Sequence, residues 1–170
     1  MGVSSKANGK LWFYFEVISF LFILDQRVFF KKIKICIFRK ELNFSMKSDK
    51  DWIKKIEIDT VNCQMFCCSS SDLYIYDFNG NLIRHFPDLH KMSITAVVYS
   101  AKAKLVLTGS LDTKIKCWTL GGVLLQTFSS HSKPITKLLL NPFNSNLVLS
   151  SSIDGFVKMW SLDTMQEIYE

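Results

Sequence analysis

Two stretches of the chain carry the same alternation of apolar and polar positions. Residues 105–120 read LVLTGSLDTKIKCWTL and residues 147–162 read LVLSSSIDGFVKMWSL. The second follows the first by 42 residues, with eight of sixteen positions identical and four more closely equivalent. In each, a short run of branched apolar residues is broken by a polar reversal, Leu111-Asp112-Thr113 or Ile153-Asp154-Gly155. A second run bearing a Trp follows. Short apolar runs bounded by Asp and Gly predict antiparallel β-hairpins. A further strand is predicted ahead of each hairpin, SITAVVYS at 93–100 and PITKLLLN at 134–141. After the first hairpin, Gly121-Gly122 turns the chain into VLLQTF, a fourth strand. A pattern returning at about 40 residues predicts a repeat architecture in which each unit is one small four-stranded sheet.

A fainter copy precedes these two. WIKKIEID at 52–59 alternates as a strand, and CQMFCCSSS, LYIYDF and NLIRHF supply three more runs. Asn79-Gly80 between the last two predicts a type I′ turn. Shifted by 42 residues, Tyr76 falls on Trp118, Gly80 on Gly122 and Phe86 on Phe128, while Ser70 stands where the repeat has Asp112.

Each strong copy also carries a His four residues before the first Ile of its leading strand, His90 before Ile94 and His131 before Ile135. The resulting sets are His90, Ser110, Asp112 and Trp118, then His131, Ser152, Asp154 and Trp160. In period, order and spacing the chain resembles the WD-repeat β-propeller family. The resemblance covers about 120 residues and is strongest over 90–162. It departs from the family pattern in having Leu89 and Ser130 before the histidines, and Thr119 and Ser161 after the tryptophans. It implies that each set is a structural staple: the turn Asp accepts from His, and the Trp indole finds a hydroxyl. Either Thr108 or Ser110 fills the hydroxyl role. It further implies a non-catalytic scaffold that holds other proteins on strand-connecting loops at 87–92, 111–113, 129–134 and 153–155. Lys91, Thr113, Lys133 and Gly155 are the candidate partner-binding positions there.

The expected fold class is all-β, a partial propeller of four-stranded antiparallel blades behind an irregular apolar and basic extension. Residues 1–50 form that extension. Residues 51–170 form the repeat region: a degenerate blade at 51–86, a blade at 90–128, and an incomplete blade at 131–170. About three blades fall short of the four to eight of a closed ring, so the expectation is a fragment of a larger propeller.

Charge alters the picture only for the extension. The chain's net charge is +6, and all of the excess lies in residues 1–50; residues 51–170 balance. A nucleic-acid-binding surface on the repeats would need a clustered basic footprint there. The apolar run at 11–24 is flanked by Lys6, Lys10 and Arg27 but contains Glu16 and is short for a bilayer span. Membrane tethering through 11–24 is one alternative function, and RNA or anionic-lipid binding through the basic segment is another. Five Cys in no framework-like spacing favour a reducing compartment, and so a cytoplasmic protein.

The remaining chemistry reads as structural. Cys63, Cys67 and Cys68 with His85 or His90 lack paired zinc spacing, and Cys67 and Cys68 would face opposite sides of a strand. His, Ser and Asp suggest a hydrolytic triad, yet they recur twice in one order, as a staple would and a unique active site would not. No catalytic residue, metal or cofactor is expected, and the expected partners are other proteins.

Overall fold

The computed structural model describes residues 53–169 throughout, and the backbone of five strands before them: β1 (Lys6–Ala7), β2 (Lys10–Tyr14), β3 (Phe20–Asp25), β4 (Lys32–Ile37) and β5 (Lys40–Ser45). These five pair antiparallel in chain order. The apolar run at 11–24 therefore contributes to β2 and β3, which pair Trp12 with Ile23 and Phe13 with Phe22. No helix among the described residues is long and apolar enough to cross a membrane. The last residues of the expected extension, 46–50, lie outside the described residues.

The rest of the chain is all-β, three four-stranded antiparallel sheets of a partial propeller. The first holds β6 (Ile53–Asp59), β7 (Gln64–Ser69), β8 (Asp72–Asp77) and β9 (Leu82–Phe86). The second holds β10 (Ile94–Ser100), β11 (Leu105–Ser110), β12 (Ile115–Thr119) and β13 (Leu124–Phe128). The third holds β14 (Ile135–Leu140), β15 (Leu147–Ser152), β16 (Val157–Ser161) and β17 (Gln166–Tyr169). The fourth strand of the third sheet is thus present over four residues, pairing Tyr169 with Met159.

Stacking explains the apolar pattern. Every residue of β11 is buried, because the second sheet is covered on both faces. Val106 and Trp118 pack toward Phe66, Cys68, Leu73 and Ile75 of the first sheet. Leu107, Ile115, Cys117 and Phe128 pack toward Ile135, Leu138, Val148 and Trp160 of the third. Side chains alternating across a strand supply both cores from one sequence run. Cys67 and Cys68 divide between opposite faces of the first sheet, and burial pushes the Cys67 thiol up to about 12 and the Cys68 thiol well above its usual range. Gly109 sits where Ile135 crosses closest: a Cβ there would stand 2.6 Å from Ile135 Cγ2.

Four of the hairpins share one turn geometry, and it corrects the type I′ expectation. Gly80 has φ 86°, but Asn79 does not take positive φ. The bonds are Gly80 N to Asp77 O and Asp77 N to Asn81 O, a type I turn closed by a left-handed residue. Asp77 Oδ1 accepts the amides of Asn79 and Asn81, which holds Asn79 out of the left-handed region. Gly122 repeats this against Thr119, Gly155 against Ser152, and Thr113 against Ser110. Thr113 pays for the geometry, holding φ 70° with a branched side chain where the next copy has Gly155. In the first sheet the register shows why Ser70 is not an aspartate equivalent. Tyr76 pairs with Met65 as Trp118 pairs with Val106, but the turn between is one residue shorter.

Candidate functional site

Among the described residues a repeated polar network lies at one end of the second and third sheets, where the β11–β12 and β15–β16 turns meet the loops carrying the histidines. Trp118 pairs with Val106 on β11, so the residue two along the same face, Thr108, lies diagonal to the indole. Trp118 Nε1 donates to Thr108 Oγ1 at 2.9 Å. His90 Nε2 lies 2.8 Å from the same oxygen, and its Nδ1 lies 3.0 Å from Asp112 Oδ2. The third sheet repeats the circuit with Ser150: Trp160 Nε1 to Ser150 Oγ at 2.8 Å, His131 Nε2 to that oxygen at 2.8 Å, and His131 Nδ1 to Asp154 Oδ2 at 2.8 Å.

The hydroxyl that joins His to Trp therefore belongs to Thr108 and Ser150, not to Ser110 and Ser152. Those two serines do a neighbouring job. Ser110 Oγ donates toward the Met92 and Ser93 carbonyls and accepts the Asp112 amide. Ser152 Oγ donates to the Lys133 carbonyl and accepts the Asp154 amide. Both sit at the strand end, four residues from the position opposite the Trp, beyond indole reach. The signal was in the sequence: Thr108 and Ser150 form a conservative pair ten residues before each Trp.

Partner chemistry fixes the protons. A carboxylate only accepts, so Nδ1 of each His carries hydrogen. An indole only donates, so the hydroxyl oxygen accepts from Trp and turns its own hydrogen to Nε2. Every donor has an acceptor when the imidazole is neutral. Burial disfavours the imidazolium of His90 and outweighs the hydrogen bond and charge of Asp112, leaving its pKa below the usual value. Burial opposes ionisation of Asp112 too, but N–H donation from Lys114, His90 and Lys91 more than offsets it. For Asp154, the same contest with Phe156, His131 and Ser132 as donors brings the carboxyl down to about 2.

Ser150, His131 and Asp154 have the hydrogen-bond order of a hydrolytic triad, but this oxygen cannot attack. Ser150 is 1% exposed, Thr108 is fully buried, and each oxygen already accepts from an indole. Among the described residues no group of three or more His, Cys, Asp or Glu side chains is placed to hold a metal.

Two adjacent sheets thus carry one circuit at one register. The family model described as "WD domain, G-beta repeat" matches residues 80–119 and 122–161. Over those 80 of 170 residues the chain is similar to the WD-repeat family. The WD repeat domain-containing protein 83 homolog of Dictyostelium discoideum is 37% identical over 60 residues, which is 35% of this chain and 18% of that protein. The match spans less than a fifth of that relative's length. Each matched WD window also crosses a sheet boundary: 80–119 takes β9 from the first sheet and β10–β12 from the second, and 122–161 takes β13 and β14–β16. One WD repeat in sequence therefore ties two blades together in space.

The circuit also positions the loops of the second and third blades. Asp112 Oδ2 accepts the Lys91 amide at 3.2 Å, and Asp154 Oδ2 accepts the Ser132 amide at 3.1 Å. Leu111 N bonds the Ser93 carbonyl, and Ile153 N bonds the Pro134 carbonyl. Lys91, Lys133 and Gly155 are exposed and Thr113 is half-buried, so the candidate loop positions lie at the end of the blades that the staples hold. The degenerate first blade has Cys67 at the Thr108 register and Tyr76 at the Trp118 register, both buried.

Proposed function

We propose that the chain is a non-catalytic protein-interaction scaffold of the cytoplasm, whose three WD blades work as part of a larger ring. The observation that carries this is the pair of buried circuits, which hold the four loops at 87–92, 111–113, 129–134 and 153–155 to rigid sheets. A preordered loop surface loses little entropy on binding, which suits a partner platform. The ring reading is supported by the outer face of the third sheet. There Leu139 and Val157 are 48% and 56% exposed, at the register where Val98 and Ile115 of the second sheet are buried against their neighbour.

In-cell crosslinking followed by tag purification tests the scaffold reading, with the full chain compared against a Lys91→Ala, Lys133→Ala variant. The expected result is a reproducible partner set whose crosslinks map to the four loops and diminish in the variant. Crosslinks that avoid those loops in the folded chain would remove the reading.

A further inference from the structure

We propose that the loop end of the second and third blades receives an acidic protein segment carrying aliphatic side chains, an assignment that rests on the scaffold reading above and names its partner chemistry. The surface is continuous. The loop of Lys91 and Met92 is bonded to the turn of Leu111 through Asp112 and Ser93, and the loop of Lys133 is bonded to the turn of Ile153 through Ser152 and Pro134. The two halves meet where Thr95 Oγ1 donates to the Ile135 carbonyl at 2.6 Å, bridging β10 and β14.

On that surface the apolar residues face outward: Met92 is 50%, Leu111 37% and Ile153 60% exposed. Aliphatic groups held outward on rigid loops are what a partner's apolar side chain would cover. The charges around them are sorted by burial. Lys91 and Lys133 are exposed, and Lys114 is half-buried. The carboxylates of the two turns, Asp112 and Asp154, are only 8% and 4% exposed and are held by histidine and amide N–H groups. Asp88 is exposed at the margin toward the first blade, where it accepts from Ser71, and Glu167, its side chain 25% exposed, reaches the 129–134 loop at Ser130 but is paired with Lys158. An arriving segment therefore meets ammonium groups first, which favours acidic side chains. Single-stranded RNA fits less well. The exposed apolar groups are aliphatic, His90 and His131 are buried, and Phe156, 51% exposed, is a lone ring beside the third-blade turn rather than a stacking series.

The test uses the full chain and three fluorescent probes: a short peptide of Glu and Asp interspersed with Leu and Ile, its Lys-for-acid counterpart, and an oligouridine. The acidic peptide is expected to bind, and to weaken as salt rises past about 0.1 M. A Lys91→Glu, Lys133→Glu variant should lose about tenfold or more and flatten the salt dependence. Met92→Ser with Ile153→Ser should weaken binding while leaving the salt dependence in place. Unchanged melting curves establish that these exposed substitutions leave the fold intact. No binding of the acidic peptide up to about 1 mM, equal binding of the basic peptide, tighter binding of the RNA, or indifference to both variant pairs would each overturn the proposal. If that happens while loop crosslinks to cellular partners persist, the scaffold reading stands and only the acidic-segment assignment falls.

Discussion

Thr108→Val separates the hydroxyl identified in the structure from its neighbour at Ser110. Valine matches threonine in shape, so the substitution removes little beyond the hydroxyl. Two buried groups then lose their partner: Trp118 Nε1, at 2.9 Å, and His90 Nε2, at 2.8 Å, with Thr108 itself fully buried. Leaving one buried polar group unsatisfied costs about 1–3 kcal/mol. Two such groups in one network are not additive, and the added methyl recovers part, so the expected loss is about 2–4 kcal/mol. At about 2–4 °C per kcal/mol for a chain of this size, the melting temperature should fall by roughly 4–16 °C. Ser110→Ala breaks bonds at the strand end, where the Met92 and Ser93 carbonyls and the Asp112 amide lie at a part-buried site. It should cost about 1 kcal/mol. Urea titrations followed by Trp fluorescence report both. A double-mutant cycle with Trp118→Phe should show that the Thr108 and Trp118 losses overlap. A Ser110→Ala loss equal to or larger than that of Thr108→Val would refute the assignment of the hydroxyl.

Stability should depend on pH through His90, which burial keeps neutral. Its folded pKa lies below 6.5, so the unfolded chain takes up the proton first; stability is full above about pH 6.5 and falls as pH drops through the folded value. Asp112 and Asp154 add a second loss below about 3.8, reaching to about 2 for Asp154, and urea midpoints across pH should show both, with His90→Gln reducing the upper step. Gly109→Ala should cost about 1–3 kcal/mol by driving a Cβ into the β-branched Ile135, measured by calorimetry. Thr113→Gly should stabilise by about 1 kcal/mol, since it relieves a left-handed threonine, and Gly155→Thr should destabilise.

The hairpins and their period were legible because each rests on local spacing, whereas the pairing of His with Asp, 22 and 23 residues apart, came from the resemblance to the WD-repeat family. Leu105–Ser110 and Leu147–Ser152 alternate across two buried faces, and the turns between strands announce themselves through Asp and Gly. What the linear pattern hid depended on register. Choosing Thr108 over Ser110 requires counting pairs back from the turn, and at both positions the side chain lies on the same face as the Trp. Ser70 fell on the aspartate position only because a fixed offset of 42 ignores a turn that is one residue shorter. The Asn79-Gly80 geometry turned on Asp77, whose carboxylate captures the Asn79 amide. That Ser150, rather than Ser152, completes the triad-like order with His131 and Asp154 depended on register in the same way.

The account depends most on one arrangement: in each of two stacked blades, a buried indole, a hydroxyl, an imidazole and a carboxylate form a single hydrogen-bonded chain. Nitrogen-15 NMR of the full chain at about pH 8, with His90 and His131 assigned by substitution, reads this directly. The structure predicts hydrogen on Nδ1 and none on Nε2 for both rings, the reverse of the tautomer that free histidine prefers. Hydrogen on Nε2 of either ring, or averaging between tautomers, would contradict it.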